Sequence, residues 1–250
     1  MLQSKRKHLL PSYHRLSKFS FDIERLKAEV LQMSGLFKNV IESNKELCAN
    51  NHELVATVYD HYEQVSLTTF NGPASENFTE DTCAVLGETA GTDEVLSKHR
   101  KYKLKLQRRT DFPQLDERNY NSPTSAYTGS YIEECIQQFG CPVMRVRLVK
   151  LKAGEKVDWH IDYDPSYATR IIIPVITNPG VVNLTKRKGV IEEKHLEADG
   201  SPWFLNTGYS HSVENRGSSD RIVLMCSLEG HSILDDIARE YASSFEGTCV

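Results

Sequence analysis

The chain has 250 residues, a mass of 28.4 kDa, and 30 basic against 34 acidic side chains, which give a formal charge of −4. A chain of this length can bury one substantial core, and the mild acidity argues against a dedicated nucleic-acid binder. The apolar fraction of 39% is ordinary for a soluble protein, and no apolar run approaches the roughly 20 residues of a membrane-spanning helix.

The amino-terminal part of the chain is predicted to be partly helical. Apolar residues at helical spacing predict helices over residues 21–33 and 34–51. Residues 71–94 carry six acids and no lysine or arginine, and they are predicted to form a surface loop. Residues 97–109 carry seven basic side chains and no acid, which favours an amphipathic edge strand over an anion-binding patch. Because the basic start of the chain lacks the apolar stretch of a signal peptide, we expect a cytoplasmic protein.

Short strands separated by turn residues dominate the second half of the chain. A short helix is predicted over residues 130–139 and a last helix over residues 233–245. Between them, the predicted strands are 143–151, 157–162, 169–177, 181–184, 190–195, 202–206, 211–215 and 221–228. Eight short strands at this spacing favour a jelly roll or a closed barrel over a parallel α/β sheet. We therefore expect one mainly β domain (1–250) with flanking helices. It is divided into a helical and mixed part (1–140), a jelly-roll core (141–230) and a last helix (231–250).

Three residues of the predicted core have the chemistry of a metal site. Side chains alternate between the two faces of a strand, so His160 and Asp162 are expected on one face, about 6–7 Å apart along the backbone. His211 follows Asp162 by 49 residues, on a strand that a jelly roll can return beside the first. Two imidazoles and one carboxylate leave three metal positions open, which suits non-haem Fe(II) that binds a bidentate cosubstrate and O2. No cysteine is placed to complete a structural zinc site.

Arg221 is predicted to share this interior. If strands 211–215 and 221–228 form a hairpin, His211 pairs with Arg221. Alternation then points Arg221 and every second residue up to Met225 into the barrel, and it points the residues between them outward under the helices. A guanidinium inside an apolar barrel is costly unless a carboxylate meets it. Since no acid on this strand can do so, a dicarboxylate ligand is the expected partner.

Three stretches carry a resemblance to a known family, namely RVRLVKLKAGEKVDWHIDYD, TRIIIPVITNP and WFLNTGYSHSVENRGSSDRIVLM. They resemble the bacterial members of the aspartyl/asparaginyl β-hydroxylase superfamily, which includes amino-acid hydroxylases. These proteins are Fe(II)- and 2-oxoglutarate-dependent oxygenases. The resemblance covers about residues 143–228 and implies a double-stranded β-helix core, which is a cupin-like jelly roll.

The resemblance also implies roles for individual residues. His160, Asp162 and His211 are implied to bind Fe(II), with 2-oxoglutarate and O2 as the other reactants. Arg221 matches the family arginine that pairs with the distal carboxylate of 2-oxoglutarate, and Arg170 matches an arginine near its other end.

One position departs from the family pattern. Many members carry a histidine two residues after the second arginine, facing the cosubstrate, where this chain has Ile172. The proximal carboxylate of 2-oxoglutarate would lose that contact. Two interpretations of Arg170 therefore stand side by side: a cosubstrate contact and a structural ion pair.

The substrate side is predicted from few residues. Tyr163 and Asp164 are expected at the substrate entrance, and Asn206 is expected either to contact substrate or to serve the chemistry of a turn. The expected function is hydroxylation of an amino acid, free or in a peptide, and the acidic residues 71–94 favour a ligand that bears an amine. A related oxygenase that hydroxylates or desaturates another small metabolite is the alternative, followed by a non-catalytic binding module. The expected partner is a small molecule or peptide, with no nucleic acid and no membrane.

Overall fold

The structure is a computed structural model that describes residues 9–39, 62–70, 117–162, 164–229 and 231–246. The predicted loop 71–94 and the predicted basic strand 97–109 lie outside these residues. Tyr163 and residues 40–51 of the second predicted helix also lie outside them. None of the helices within the described ranges is long and apolar enough to cross a membrane.

The described residues form three α-helices and thirteen strands. The helices are α1 (Ile23–Gln32), α2 (Tyr131–Gln137) and α3 (His231–Glu246), and 3₁₀ turns occupy Ser34–Leu36 and Glu117–Asn119. The strands are β1 (Tyr13–Arg15), β2 (Lys38–Asn39), β3 (Tyr62–Ser66), β4 (Thr68–Thr69), β5 (Ser122–Pro123), β6 (Val143–Leu151), β7 (Lys156–His160), β8 (Thr169–Ile176), β9 (Val181–Arg187), β10 (Val190–Lys194), β11 (Trp203–Leu205), β12 (Ser210–Asn215) and β13 (Arg221–Leu228).

Two antiparallel sheets form the core. The larger sheet has the strand order β1-β11-β8-β13-β6-β3-β2, and the smaller has the order β10-β9-β12-β7. From β6 to β13 the chain supplies four strands to each sheet, and it changes sheet at every connection except the β9–β10 hairpin. This is a double-stranded β-helix, so the predicted jelly-roll core with flanking helices is confirmed.

The two faces of β13 separate the outer core from the interior. Ile222, Leu224 and Cys226 pack in an apolar cluster with residues from all three helices. Val223 and Met225 belong to a second cluster that lies between the two sheets. The alternation predicted for this strand is therefore confirmed, and it brings the interior face of β13 to the predicted metal site.

The helices begin where the sequence supplies hydrogen-bond acceptors for their first N–H groups. The Asp22 carboxylate accepts hydrogen bonds from the backbone of the first turn of α1 at 3.1 Å, and the Ser130 hydroxyl does the same for α2 at 3.0 Å. The Glu29 carboxylate of α1 accepts two further N–H groups of α2, each at 2.9 Å. These bonds fix the two helices to each other against the larger sheet.

The predicted hairpin between residues 211–215 and 221–228 is wrong. β12 pairs with β7 and β9, and β13 pairs with β6 and β8, so the two strands lie in different sheets. The Asn215 amide stabilises the crossing, because it donates to the backbone oxygens of Leu151, Lys152 and Ser219 at 2.9–3.2 Å. These bonds lead the chain from one sheet to the other instead of turning it back along β12.

Two other predicted elements differ from the structure. The second predicted helix is wrong over its described part, because Ser34–Leu36 is a 3₁₀ turn and Lys38–Asn39 pairs with β3. The strand that was predicted to carry both residues of the His-x-Asp pair stops at His160, so Asp162 lies in the loop beyond β7. The backbone N–H of Asp162 donates to the carbonyl oxygen of Thr207 at 3.0 Å, which ties this loop to the turn after β11.

Candidate metal centre

The three residues predicted to bind a metal lie together at one end of the smaller sheet. His160 ends β7, Asp162 follows two residues later, and His211 is the second residue of β12. Each offers one ligand atom, and these atoms lie within 4.8 Å of one another. The two histidines are register partners with ring centroids 4.1 Å apart, and Asp162 Oδ2 lies 4.0 Å from His211 Nε2. The juxtaposition expected from the sequence is therefore present.

Both imidazole rings are held by backbone carbonyl groups. His160 Nδ1 lies 2.7 Å from the oxygen of Asp158, and His211 Nδ1 lies 3.0 Å from the oxygen of Tyr209. A carbonyl oxygen only accepts hydrogen bonds, so each Nδ1 carries a proton, and Nε2 is the nitrogen left to bind a metal. Burial, together with the neighbouring ring of His160, lowers the pKa of His211 to about 3. His211 is thus in the neutral form that binds metals at neutral pH.

The third ligand candidate is held by an arginine. Asp162 Oδ2 lies 3.6 Å from Nη2 of Arg170, a residue of β8 whose side chain is 2% exposed. The Asp162 side chain is 7% exposed. One carboxylate oxygen therefore faces both the arginine and the histidine pair.

A buried glutamate lies behind Arg170. Glu117 is fully buried, and its Oε2 accepts hydrogen bonds from Arg145 Nη1 and Arg170 Nη2, both at 3.1 Å. The Ser227 hydroxyl donates to Oε1 at 3.1 Å. Burial alone would raise the pKa of this carboxyl, but the charges of Arg170, Arg145 and Arg147 together hold the pKa below its ordinary value. Glu117 is therefore an ionised carboxylate inside the protein.

The sequence analysis did not identify Glu117. The residue lies in a 3₁₀ turn outside the periodic strands, so no alternation marked it. The available signal was indirect, because arginines at inward positions of buried strands require an acid somewhere in the fold. The ion pair between Glu117 and Arg170 agrees with one of the two interpretations of Arg170, a structural ion pair. The other interpretation, a contact of Arg170 with the cosubstrate, stays a prediction.

A cavity between the sheets opens beside the three metal-site residues. Arg221, the first residue of β13, lines it and is 3% exposed. The apolar part of the wall includes Val149, Ile172 and Met225. Ile172 is the position at which the resemblance implied a histidine in many members. Arg147 of β6 lines the same cavity and is also 3% exposed, although the sequence analysis did not single it out. Its inward position two residues before Val149 was the signal that could have identified it.

Three arginines of the larger sheet line the cavity, and two of them, Arg221 and Arg147, lie at different levels along the strands. Arg221 is the register partner of Leu151, and Arg147 is the register partner of Met225 on the neighbouring strand. Their backbone levels therefore differ by four residues, or about 13 Å along the strands. The two side chains thus start from separate levels of the sheet.

The first strand of the chain also contributes to the cavity. Tyr13 of β1 lines it, and the Thr185 hydroxyl donates to its phenol oxygen at 2.7 Å. Burial raises the pKa of Tyr13 above its ordinary value, so the phenol keeps its proton. No periodic signal in the sequence pointed to this residue, because a three-residue strand is too short to carry one.

The residues predicted to contact substrate lie elsewhere or outside the described residues. Asp164 accepts hydrogen bonds from the Ser166 N–H and hydroxyl at 3.0 and 2.7 Å, within a turn. Asn206 is fully buried, and its amide donates to the Pro11 oxygen at 3.3 Å. This contact joins Asn206 to the segment before β1, 195 residues away in the chain, so both interpretations of Asn206 stay predictions. Neither residue is among those that line the cavity, and their contacts with substrate stay predictions, as does that of Tyr163.

Comparison with protein families gives one match. A family model described as aspartyl/asparaginyl beta-hydroxylase matches residues 100–230, which is more than half of the chain. The matched range contains the three metal-site residues, the buried glutamate and the cavity arginines. No curated protein shows a significant match to the chain.

Several solved structures are similar to parts of this chain. An oxidoreductase of the 2OG-Fe(II) oxygenase family from Burkholderia pseudomallei is 11% identical, covers 83% of this chain and 89% of its own, and has a TM-score of 0.35. A cupin domain from Bordetella pertussis is 16% identical over 35% of this chain and 82% of its own, with a TM-score of 0.28. A Cupin 2 conserved barrel domain protein from Salinispora arenicola is 18% identical over 40% and 73%, with a TM-score of 0.26.

Proposed function

The chain belongs to the aspartyl/asparaginyl β-hydroxylase family, and we propose that it is an Fe(II)- and 2-oxoglutarate-dependent dioxygenase. It hydroxylates an amino acid, free or within a peptide. In the balanced reaction, substrate, 2-oxoglutarate and O2 give hydroxylated substrate, succinate and CO2. The observation that carries the proposal is the group of two imidazoles and one carboxylate beside an arginine-lined cavity.

The chemistry of the donor set fits ferrous iron. His160 and His211 present Nε2 lone pairs, because backbone carbonyls hold each Nδ1, and Asp162 presents a carboxylate oxygen. Two nitrogens and one oxygen from one side leave open positions for a cosubstrate and O2. When bound, Fe(II) supplies the redox chemistry by which O2 oxidises 2-oxoglutarate and the substrate. His160, Asp162 and His211 are the residues that would hold it.

Arg221 is proposed to bind the distal carboxylate of 2-oxoglutarate. A guanidinium meets a carboxylate through two parallel hydrogen bonds, and burial of the side chain keeps water from competing for them. The apolar neighbours Val149, Ile172 and Met225 would exclude water from the rest of the cosubstrate. With Ile172 in place of a histidine, the other carboxylate depends on other groups, for which Arg170 and the Tyr13 phenol are candidates.

Arg147 is proposed to meet a carboxylate of the substrate. It lines the cavity at the level of Met225, about 13 Å along the strands from Arg221. The residue is 3% exposed, and a planar guanidinium in such a place binds a carboxylate through two parallel hydrogen bonds. The expectation of an attracted amine rests on residues 71–94, which lie outside the described residues.

The experiment that tests this function measures succinate formed from 2-oxoglutarate with Fe(II) and O2. We expect turnover to rise when a pool of amino acids and short peptides is added, and to fall to background when Zn(II) replaces Fe(II), because Zn(II) has no redox chemistry. If no amino acid or peptide stimulates turnover but another metabolite does, the alternative oxygenase function is correct. If no succinate forms at all under any of these conditions, the oxygenase proposal fails.

A further inference from the structure

Glu117 lies outside both sheets and is not among the residues that line the cavity, yet it is bound to the arginine beside Asp162. We propose that Glu117 is a positioning residue for the metal centre and that it acts on Asp162 through Arg170. This inference rests on the proposed metal centre and adds to it a residue that does not touch the metal.

The geometry is a continuous line of buried charges. The same Nη2 atom of Arg170 lies 3.1 Å from Glu117 Oε2 and 3.6 Å from Asp162 Oδ2. That carboxylate oxygen of Asp162 lies 4.0 Å from His211 Nε2. The side chains of Glu117, Arg170 and Asp162 are 0%, 2% and 7% exposed, so solvent and salt screen these interactions little.

Glu117 is itself fixed in one orientation. Its Oε1 accepts the Ser227 hydroxyl, and its Oε2 accepts Arg145 and Arg170. Because both oxygens are engaged, the carboxylate presents the guanidinium of Arg170 with an acceptor in one fixed direction. Arg170 in turn limits the rotation of the Asp162 carboxylate, which lies in a loop rather than in β7.

The charge of Glu117 matters as much as its position. A guanidinium 3.6 Å from a ligand carboxylate competes with a metal ion for that oxygen and repels the ion directly. Glu117 opposes the charge of Arg170 at 3.1 Å and so reduces the positive charge at the metal position. Without the carboxylate charge, Arg170 would attract Asp162 more strongly, at the expense of the metal.

The test is a titration of the metal-free full-length chain with Co(II), without 2-oxoglutarate or substrate, followed by the visible absorption of the bound ion. Residues that orient metal ligands typically contribute about 10- to 100-fold to metal affinity. We expect Glu117→Gln to weaken Co(II) binding by about this factor and to change its absorption bands. Glu117→Asp, which keeps the charge but shortens the side chain, is expected to fall between Glu117→Gln and the wild type.

Two further variants separate positioning from a general structural role. Ser227→Ala removes one hydrogen bond to Glu117 but keeps its charge and both arginine contacts, so we expect a smaller loss of Co(II) affinity than in Glu117→Gln. The double variant Glu117→Gln/Arg145→Gln keeps the net charge of the cluster and still removes the Glu117 carboxylate from Arg170, so we expect it to bind Co(II) as weakly as Glu117→Gln. It also serves as the test if Glu117→Gln alone does not fold.

The inference is overturned if the folded variants lacking Glu117 bind Co(II) as the wild type does, even if their melting temperatures fall. A His160→Ala variant distinguishes this result from failure of the proposed metal centre. If the wild type does not bind Co(II), or binds it equally well without His160, the metal centre itself is refuted and this inference with it. If His160→Ala loses binding and Glu117→Gln does not, only the role of Glu117 is refuted.

Discussion

Arg221→Ala removes the guanidinium at the start of β13 and tests which ligand the cavity binds. The side chain is 3% exposed and lines the cavity that holds the metal-site residues. If it receives the distal carboxylate of 2-oxoglutarate, the substitution leaves that carboxylate unpaired at a site with little access to water. Affinity for the cosubstrate should fall, whereas metal affinity should barely change because Arg221 is not a ligand.

The expected loss of 2-oxoglutarate affinity in Arg221→Ala follows from the burial of the contact. A hydrogen-bonded contact to a charged group contributes about 1.5–3 kcal/mol, and each 1.4 kcal/mol is about tenfold in the dissociation constant. We therefore expect Arg221→Ala to weaken 2-oxoglutarate binding by about ten- to hundredfold or more. Arg221→Lys should fall between the wild type and Arg221→Ala, because lysine keeps the charge but loses the planar fork.

The assay is a titration with 2-oxoglutarate under anaerobic conditions with Fe(II) held constant. Arg147→Ala is a matched control, because Arg147 is an equally buried arginine of the same cavity and is assigned to the substrate. If Arg170→Ala weakens 2-oxoglutarate binding and Arg221→Ala does not, the anchoring arginine has been assigned wrongly. If neither substitution has an effect, 2-oxoglutarate is not the cosubstrate.

Three other predictions concern neighbouring residues. Asp162→Ala should abolish hydroxylation while the protein still folds, since it removes a ligand but little packing; full activity would refute the facial metal site. Arg147→Ala should raise KM for the amino-acid substrate and leave the dissociation constant of 2-oxoglutarate unchanged, as measured by steady-state kinetics and titration. Burial lowers the pKa of His211 to about 3, below the value of about 6.5 in the unfolded chain. Between these two pKa values the unfolded state binds more protons than the folded state. The free energy of unfolding of the metal-free protein should therefore decrease as pH falls below about 6.5. His211→Gln should weaken this pH dependence, as measured by urea unfolding.

The features of the fold that could be predicted from the sequence are those with a local period or a local chemical pattern. Alternation along 221–228 predicted the two faces of β13 because each face is buried in a different environment. The grouping of the three candidate metal ligands was predictable because few residue types bind metals and two of the three lie close together in the sequence. The pairing of His211 with Arg221 failed, because periodicity within a strand carries no information about which sheet the strand joins. That choice depends on Asn215 and on backbone groups about 65 residues away in the chain.

Arginines at inward strand positions show what the residue pattern of a single strand cannot predict. At Arg170 and at Arg221 the sequence carries the same signal, a guanidinium on a strand that is otherwise apolar and buried. That signal requires a compensating acid but does not identify it, since the chain has 34 acidic residues. For Arg170 the acid is Glu117, 53 residues earlier and within the protein. For Arg221 we propose a bound dicarboxylate as the acid. One sequence signal then corresponds to an observed internal ion pair in β8 and to a proposed ligand contact in β13. The paired titrations of Arg170→Ala and Arg221→Ala distinguish these roles, because only the loss of the ligand contact should change 2-oxoglutarate affinity while metal affinity is retained.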